Sequence, residues 1–177
     1  MKPVQKFWLI LFGIWAYAGW FFCVIVGKLE LGPLALLGPA VSWLLFYFAL
    51  RPDFGLRIKL LFLSVIGLAF DALALKLDWI STPAPSSIPA IWLVSLWLHF
   101  TPSIVLLKSI FETRLLLGSF VGAILGPLSY KSGEAFQVLS FSNPMAPYWY
   151  ALFWAGFLPG AILWISENRK KTVNENT

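Results

Sequence analysis

The sequence predicts an all-α membrane protein: a six-transmembrane-helix bundle with both termini cytoplasmic. Three observations carry this reading. Of the 177 residues, 59% are hydrophobic and 12% are charged, whereas soluble domains carry about 25% charged residues. Apolar runs near the length that crosses a bilayer recur six times along the chain. Lys and Arg gather in alternate connections, ten on the side of the termini against three on the other. That asymmetry places the basic side in the cytoplasm.

The spans are expected at about residues 7–27, 31–50, 60–77, 90–107, 115–130 and 147–165, forming one transmembrane domain over residues 1–165. Before the first span, Lys2 and Lys6 together with Ala16-Tyr17-Ala18 resemble a cleavable signal peptide. The run stays apolar for eight further residues, which a cleaved signal does not need, so an uncleaved first helix is expected. The second span opens with Leu-Gly-Pro-Leu and ends at Arg51-Pro52-Asp53, before a basic loop through Arg57 and Lys59. Asp78–Pro89, with three prolines and four Ser or Thr, reads as a loop between the third and fourth spans. Lys108–Arg114 is a charged turn. The fifth span is barely long enough to cross and invites a bend at Gly126-Pro127. Lys131–Ala146 reads as the longest connection, and residues 166–177 as a cytoplasmic polar tail without fixed structure.

Asp71 is the residue that asks for an explanation. An acid inside an apolar span costs about 2.5–3.5 kcal/mol on insertion scales and marks a functional site by default. Helical spacing puts Ser64, Gly67, Asp71, Ala74 and Asp78 on one side of the third span, a small and polar stripe suited to protein or a wet cavity. The fourth span has a polar side of its own in Trp92, Ser95, His99, Pro102 and Ser103. Spans joined by a short loop pack as antiparallel neighbours, so a direct or water-mediated contact between Asp71 and His99 is geometrically open. With Tyr130 and Cys23 on the same outer half, the candidate ligand-binding set is Asp71, His99, Tyr130, Cys23, Trp92 and Ser95. The competing reading of Asp71 is a hydrogen-bonding strut between helices. Gly118, Gly122 and Gly126, and again Gly156 and Gly160, recur every four residues, the spacing that lets helices approach closely.

Other chemistry is not legible. Cys23 is the single cysteine and His99 the single histidine, so no disulfide, zinc site or multi-histidine iron site is expected. No cofactor motif, nucleophile elbow or phosphate-cradling loop is present, and no catalytic residue can be named. The net charge of +5 serves orientation and implies no nucleic-acid partner.

Gly19-Trp20-Phe21-Phe22-Cys23-Val24, Asp71, the Trp92–Thr101 segment WLVSLWLHFT, and Gly126-Pro127-Leu128-Ser129-Tyr130 with Gly133 resemble, in this order, the small bacterial inner-membrane proteins grouped as domain-of-unknown-function family 2878. The resemblance runs from about Phe7 to Ile165, and Gly-Pro-Leu-Ser-Tyr is its most specific element. It implies the bacterial cytoplasmic membrane and tilts the function toward membrane-lipid chemistry, but it implies no activity and no site residues. The expected function is an accessory or binding protein for a membrane lipid or other hydrophobic compound, with an outer-half pocket around Asp71. Two alternatives stand beside it: a proton-coupled small transporter cycling a proton on Asp71, and a non-catalytic partner in a membrane complex or homo-oligomer.

Overall fold

A computed structural model describes residues 3–83 and 89–166. The polar tail beyond Ser166 and positions 84–88 of the Pro-rich loop lie outside the described residues. Helix α1 spans Pro3–Lys28. A single-turn 3-10 segment, Gly32–Leu36, leads into α2, Leu37–Leu50. Then follow α3 (Phe54–Lys76), α4 (Ile91–Phe111), α5 (Leu115–Ala135) and α6 (Ala146–Ser166). All six helical stretches, counting Gly32–Leu50 as one, are long and apolar enough to cross a membrane.

Several helices outrun the apolar segments that announce them. Helix α3 starts six residues before the expected position because Asp53 caps it: its carboxylate accepts a hydrogen bond from the Leu56 N–H at 2.7 Å. Arg57 and Lys59 therefore sit on helix rather than in a loop. Helix α4 runs on to Phe111 with a Lys108–Glu112 pair one turn apart at 3.7 Å. Helix α5 does not stop at Tyr130 but continues five residues, through a Lys131–Glu134 ion pair and a Ser132 hydroxyl bonded to the Leu128 carbonyl. Pro127 lies inside this continuous helix. The long connection expected from residue 131 shrinks accordingly to residues 136–145.

That connection pairs with the α3–α4 loop. Strand β1 (Ile80–Ser81) and strand β2 (Ser140–Phe141) form a two-residue antiparallel ladder, Ile80 opposite Phe141 and Ser81 opposite Ser140. Hydroxyls of Ser81, Ser140 and Ser142 link across it. The ladder ties the ends of α3 and α5 to the starts of α4 and α6, and so fixes four helix ends over the site described below.

Helix α4 is the centre of the bundle. It packs against α1, α2, α3 and α6, whereas α5 rests mainly on α6 and scarcely touches α4. Contact with four helices buries much of it, and α4 buries Trp92, Leu93, Ser95, Trp97, His99, Thr101 and Ile104. Its large side chains need room, and neighbouring glycines supply it. A Cβ at Gly19 would stand 2.3 Å from the His99 ring, at Gly27 2.6 Å from Trp92, and at Gly67 2.2 Å from Trp97. Small residues thus set how closely helices approach, as expected where no water drives packing.

Candidate functional site

Of the polar stripe on α3, Ser64, Gly67, Asp71 and Ala74 are buried, and Asp78 is exposed beyond the helix end at φ 54°. Asp71 is 0% exposed. Three donors from three helices converge on its carboxyl group. The Trp97 indole N–H of α4 donates to Oδ2 at 2.5 Å; the hydroxyls of Tyr130 (α5) and Tyr150 (α6) donate to Oδ1 at 2.7 and 2.9 Å. No Lys, Arg or His pairs with Asp71 among the described residues. The acid therefore serves as the hub of a neutral-donor cluster that joins α3, α4, α5 and α6.

Aromatic packing fixes the donors. The rings of Tyr130 and Tyr150 lie 4.0 Å apart between centroids. Trp97 stacks on Trp154 at 5.4 Å, with their planes 11° apart. Trp154 in turn covers Gly126, where a Cβ would stand 2.2 Å from the indole.

His99 belongs to a different cluster. Residues 97 and 99 are two apart on one helix and point to opposite sides of it. Trp97 turns to Asp71, while His99 turns to α1 and α2. Its Nε2 lies 3.2 Å from the Ala16 carbonyl and its Nδ1 2.5 Å from Ser42 Oγ. A carbonyl can only accept, so Nε2 carries the proton, and in the neutral ring Nδ1 accepts from the Ser42 hydroxyl, whose one hydrogen the Gly38 carbonyl at 3.0 Å also faces. The contact with Asp71 left open by the sequence is not made.

The candidate residues thus divide. Asp71 and Tyr130 come together, whereas His99, Trp92 and Cys23 lie along the seam that α1 forms with α4 and α2. Trp92 covers Gly27, and the Cys23 thiol, fully buried, lies where a Cβ on Gly38 would stand 2.6 Å away. Ser95 is buried with its hydroxyl unpartnered. Among the described residues no three His, Cys, Asp or Glu converge as metal ligands. Because Cys23 is sealed by packing, native protein is expected to resist a membrane-permeant maleimide and to be labelled fully once denatured, as read by intact mass. Rapid native labelling would contradict this burial.

Trp97 and Tyr150 were missed from the sequence as partners of the acid. The signal that finds them is depth. At 1.5 Å per residue, Asp71 lies about 8 Å from the end of α3. Trp97 lies about 9 Å from the start of α4, Tyr130 about 8 Å from the end of α5, and Tyr150 about 6 Å from the start of α6.

Beside this hub lies a cavity of about 480 Å³, bounded by α1, α4, α5 and α6, a volume usual for small-molecule sites. Trp97 and Tyr130 form part of its wall, together with Trp20, Phe21, Phe100 and Trp154. Asp71 itself is not in the wall. Ala16, whose carbonyl meets His99, is. A second hollow of about 540 Å³, walled by Pro39, Trp43, Ile58 and Leu98 with Arg57, includes no member of the Asp71 cluster.

Six apolar helices around an enclosed acid define a small multi-pass membrane protein. The chain belongs to the family described as "Protein of unknown function (DUF2878)", whose model matches residues 8–160. That range holds both clusters and nearly all of the cavity-bearing helices. No curated protein and no solved structure matches the chain.

Proposed function

We propose that this protein binds a membrane lipid or another hydrophobic compound, entering sideways from the bilayer, and acts as a handling or accessory protein. The observation that carries the reading is the 480 Å³ groove, apolar over most of its wall and bounded by two of the three side chains that hold Asp71. Helices α1 and α5 make no extensive contact, which leaves a gap for lateral entry. In this reading Asp71 does not touch the ligand. It fixes Trp97 and Tyr130, which do.

The reading is placed in a bacterial cytoplasmic membrane with both termini inside. Ten Lys and Arg on the terminal side against three on the other support that orientation. A carboxy-terminal fluorescent fusion is expected to fluoresce and an alkaline phosphatase fusion to be inactive.

The test of binding fills the groove. Val121 lies in its wall and is partly buried, so Val121→Trp occupies it without touching the hub. Native mass spectrometry of protein released from membranes is expected to show a hydrophobic adduct on wild type and to lose it on Val121→Trp. An adduct pattern identical in both would overturn the reading. Uptake that depends on external pH would point instead to a proton-coupled carrier.

A further inference from the structure

We infer that the groove takes an uncharged amphiphile whose polar end carries an O–H or N–H donor, a long-chain alcohol being the simplest case, with that end beside Ser129 and Ser132. The inference rests on the groove being a binding site, as proposed above, and goes on to name the ligand class from the hydrogen-bonding state of the wall.

Charge comes first. Every residue in the wall is neutral. The nearest charged side chains on α5, Lys131 and Glu134, pair with each other. A carboxylate or phosphate drawn into this space would lose its hydration and gain no cation, which is costly in an apolar site.

The polar atoms then discriminate among neutral groups. A hydroxyl has one hydrogen to donate and two lone pairs to accept with. Along α5 each of these hydrogens is already used. Ser129 Oγ donates to the Gly126 carbonyl at 2.7 Å, Ser132 Oγ to the Leu128 carbonyl at 2.9 Å, and Tyr130 Oη to Asp71 at 2.7 Å. This side of the groove therefore offers lone pairs only. The α6 side adds no open donor: the indole N–H of Trp154 is buried away from the groove's free space. An alcohol can donate to these lone pairs. An ether or ester can only accept.

Position sets the direction of the ligand. Ser129, Tyr130 and Ser132 lie in the last two turns of α5, next to the strand ladder, whereas Leu107 and Leu158 lie toward the other end of their helices' shared groove. The polar end faces the ladder and the chain runs toward the middle of the bundle.

The experiment uses the full chain in phosphatidylcholine nanodiscs and a long-chain alcohol carrying a mid-chain diazirine. Photolabelled peptides are mapped by mass spectrometry, and labelling is competed with hexadecanol, hexadecyl methyl ether and hexadecanoate. Label is expected on the wall segments of α1 and α5. Hexadecanol is expected to compete about tenfold better than its methyl ether, the worth of one hydrogen bond, and hexadecanoate less well than either. Ser129→Ala combined with Ser132→Ala is expected to keep the label and erase the alcohol's advantage. Equal competition by alcohol and ether, or strongest competition by hexadecanoate, overturns the ligand class while the groove stands as a site. Absence of label from the groove overturns both. The competition series needs only wild-type protein, so a misfolded variant cannot mask the answer.

Discussion

Asp71→Ala is expected to lower the unfolding free energy of the detergent-solubilised protein by about 2–5 kcal/mol, read as a large drop in Tm. The substitution strands three buried donors at once: the Trp97 N–H and the hydroxyls of Tyr130 and Tyr150. A buried donor left unpaired costs about 1–3 kcal/mol in water-soluble proteins. Interhelical bonds in membranes run lower, from about 0.6 to 1.7 kcal/mol, because the unfolded state also finds partners. Three such losses give the range above. Asp71→Asn separates acceptance from charge. The amide oxygen can still accept from both tyrosines, but the amide NH₂ then faces the Trp97 N–H, donor against donor. Its stability is expected to fall between wild type and Asp71→Ala. Adding Trp97→Phe to Asp71→Asn removes the conflict and is expected to recover part of the loss. An Asp71→Ala protein with wild-type Tm would mean that the cluster contributes nothing to holding four helices together. Groove labelling of the Asp71→Asn, Trp97→Phe protein, compared with Trp97→Phe alone because Trp97 lines the groove, then asks a separate question: whether the acid matters to binding.

Much of the bundle was legible because apolar length and helical spacing act locally. The buried stripe of Ser64, Gly67, Asp71 and Ala74 follows from residue spacing alone. Helix ends were harder, since an apolar run marks the part of a helix that crosses hydrocarbon and not the part that continues into the polar zone. Asp53, Glu112 and Glu134 extend α3, α4 and α5 through caps and pairs between polar residues that composition assigns to loops. The donors that meet Asp71 were not legible for a different reason. The polar side of α4 drew attention to His99, yet in an apolar bundle an indole N–H needs an acceptor as much as an acid needs donors. Trp97 sat on the face that hydropathy marks as apolar. A pocket was expected around Asp71, but which residues wall the groove was not legible, because it arises from how little α5 touches α1 and α4, a tertiary fact with no local signature.

The two glycine runs carry the same motif and are expected to respond in opposite ways. In α5 a Cβ at Gly122 would stand 2.5 Å from the Trp154 carbonyl oxygen and 3.1 Å from its carbon. Those are backbone atoms, so no rotamer change relieves the clash and α5 must move away from α6. Overpacking of this kind costs about 1–3 kcal/mol. The movement also draws Tyr130 away from an acid shared with Tyr150 on α6, so packing and hydrogen bonding fail together. Gly122→Ala is therefore expected to destabilise strongly. Gly118→Ala, whose nearest neighbour would be the Phe111 Cβ at 3.4 Å, is expected to be tolerated. In α6, Gly156 and Gly160 face outward, with nothing of the described chain within 4 Å of an added Cβ. The packing role read for them from the sequence is not played among the described residues, because α5 packs on the face that bears Trp154 and Leu158. Gly156→Ala and Gly160→Ala are expected to leave Tm unchanged or slightly raised. Thermal unfolding of the four variants, with particle mass measured by light scattering, decides the matter. A stable Gly122→Ala protein would show that the α5–α6 contact is looser than its geometry. A loss of stability at Gly156 or Gly160 together with a fall in mass would place a second copy of the chain against that face.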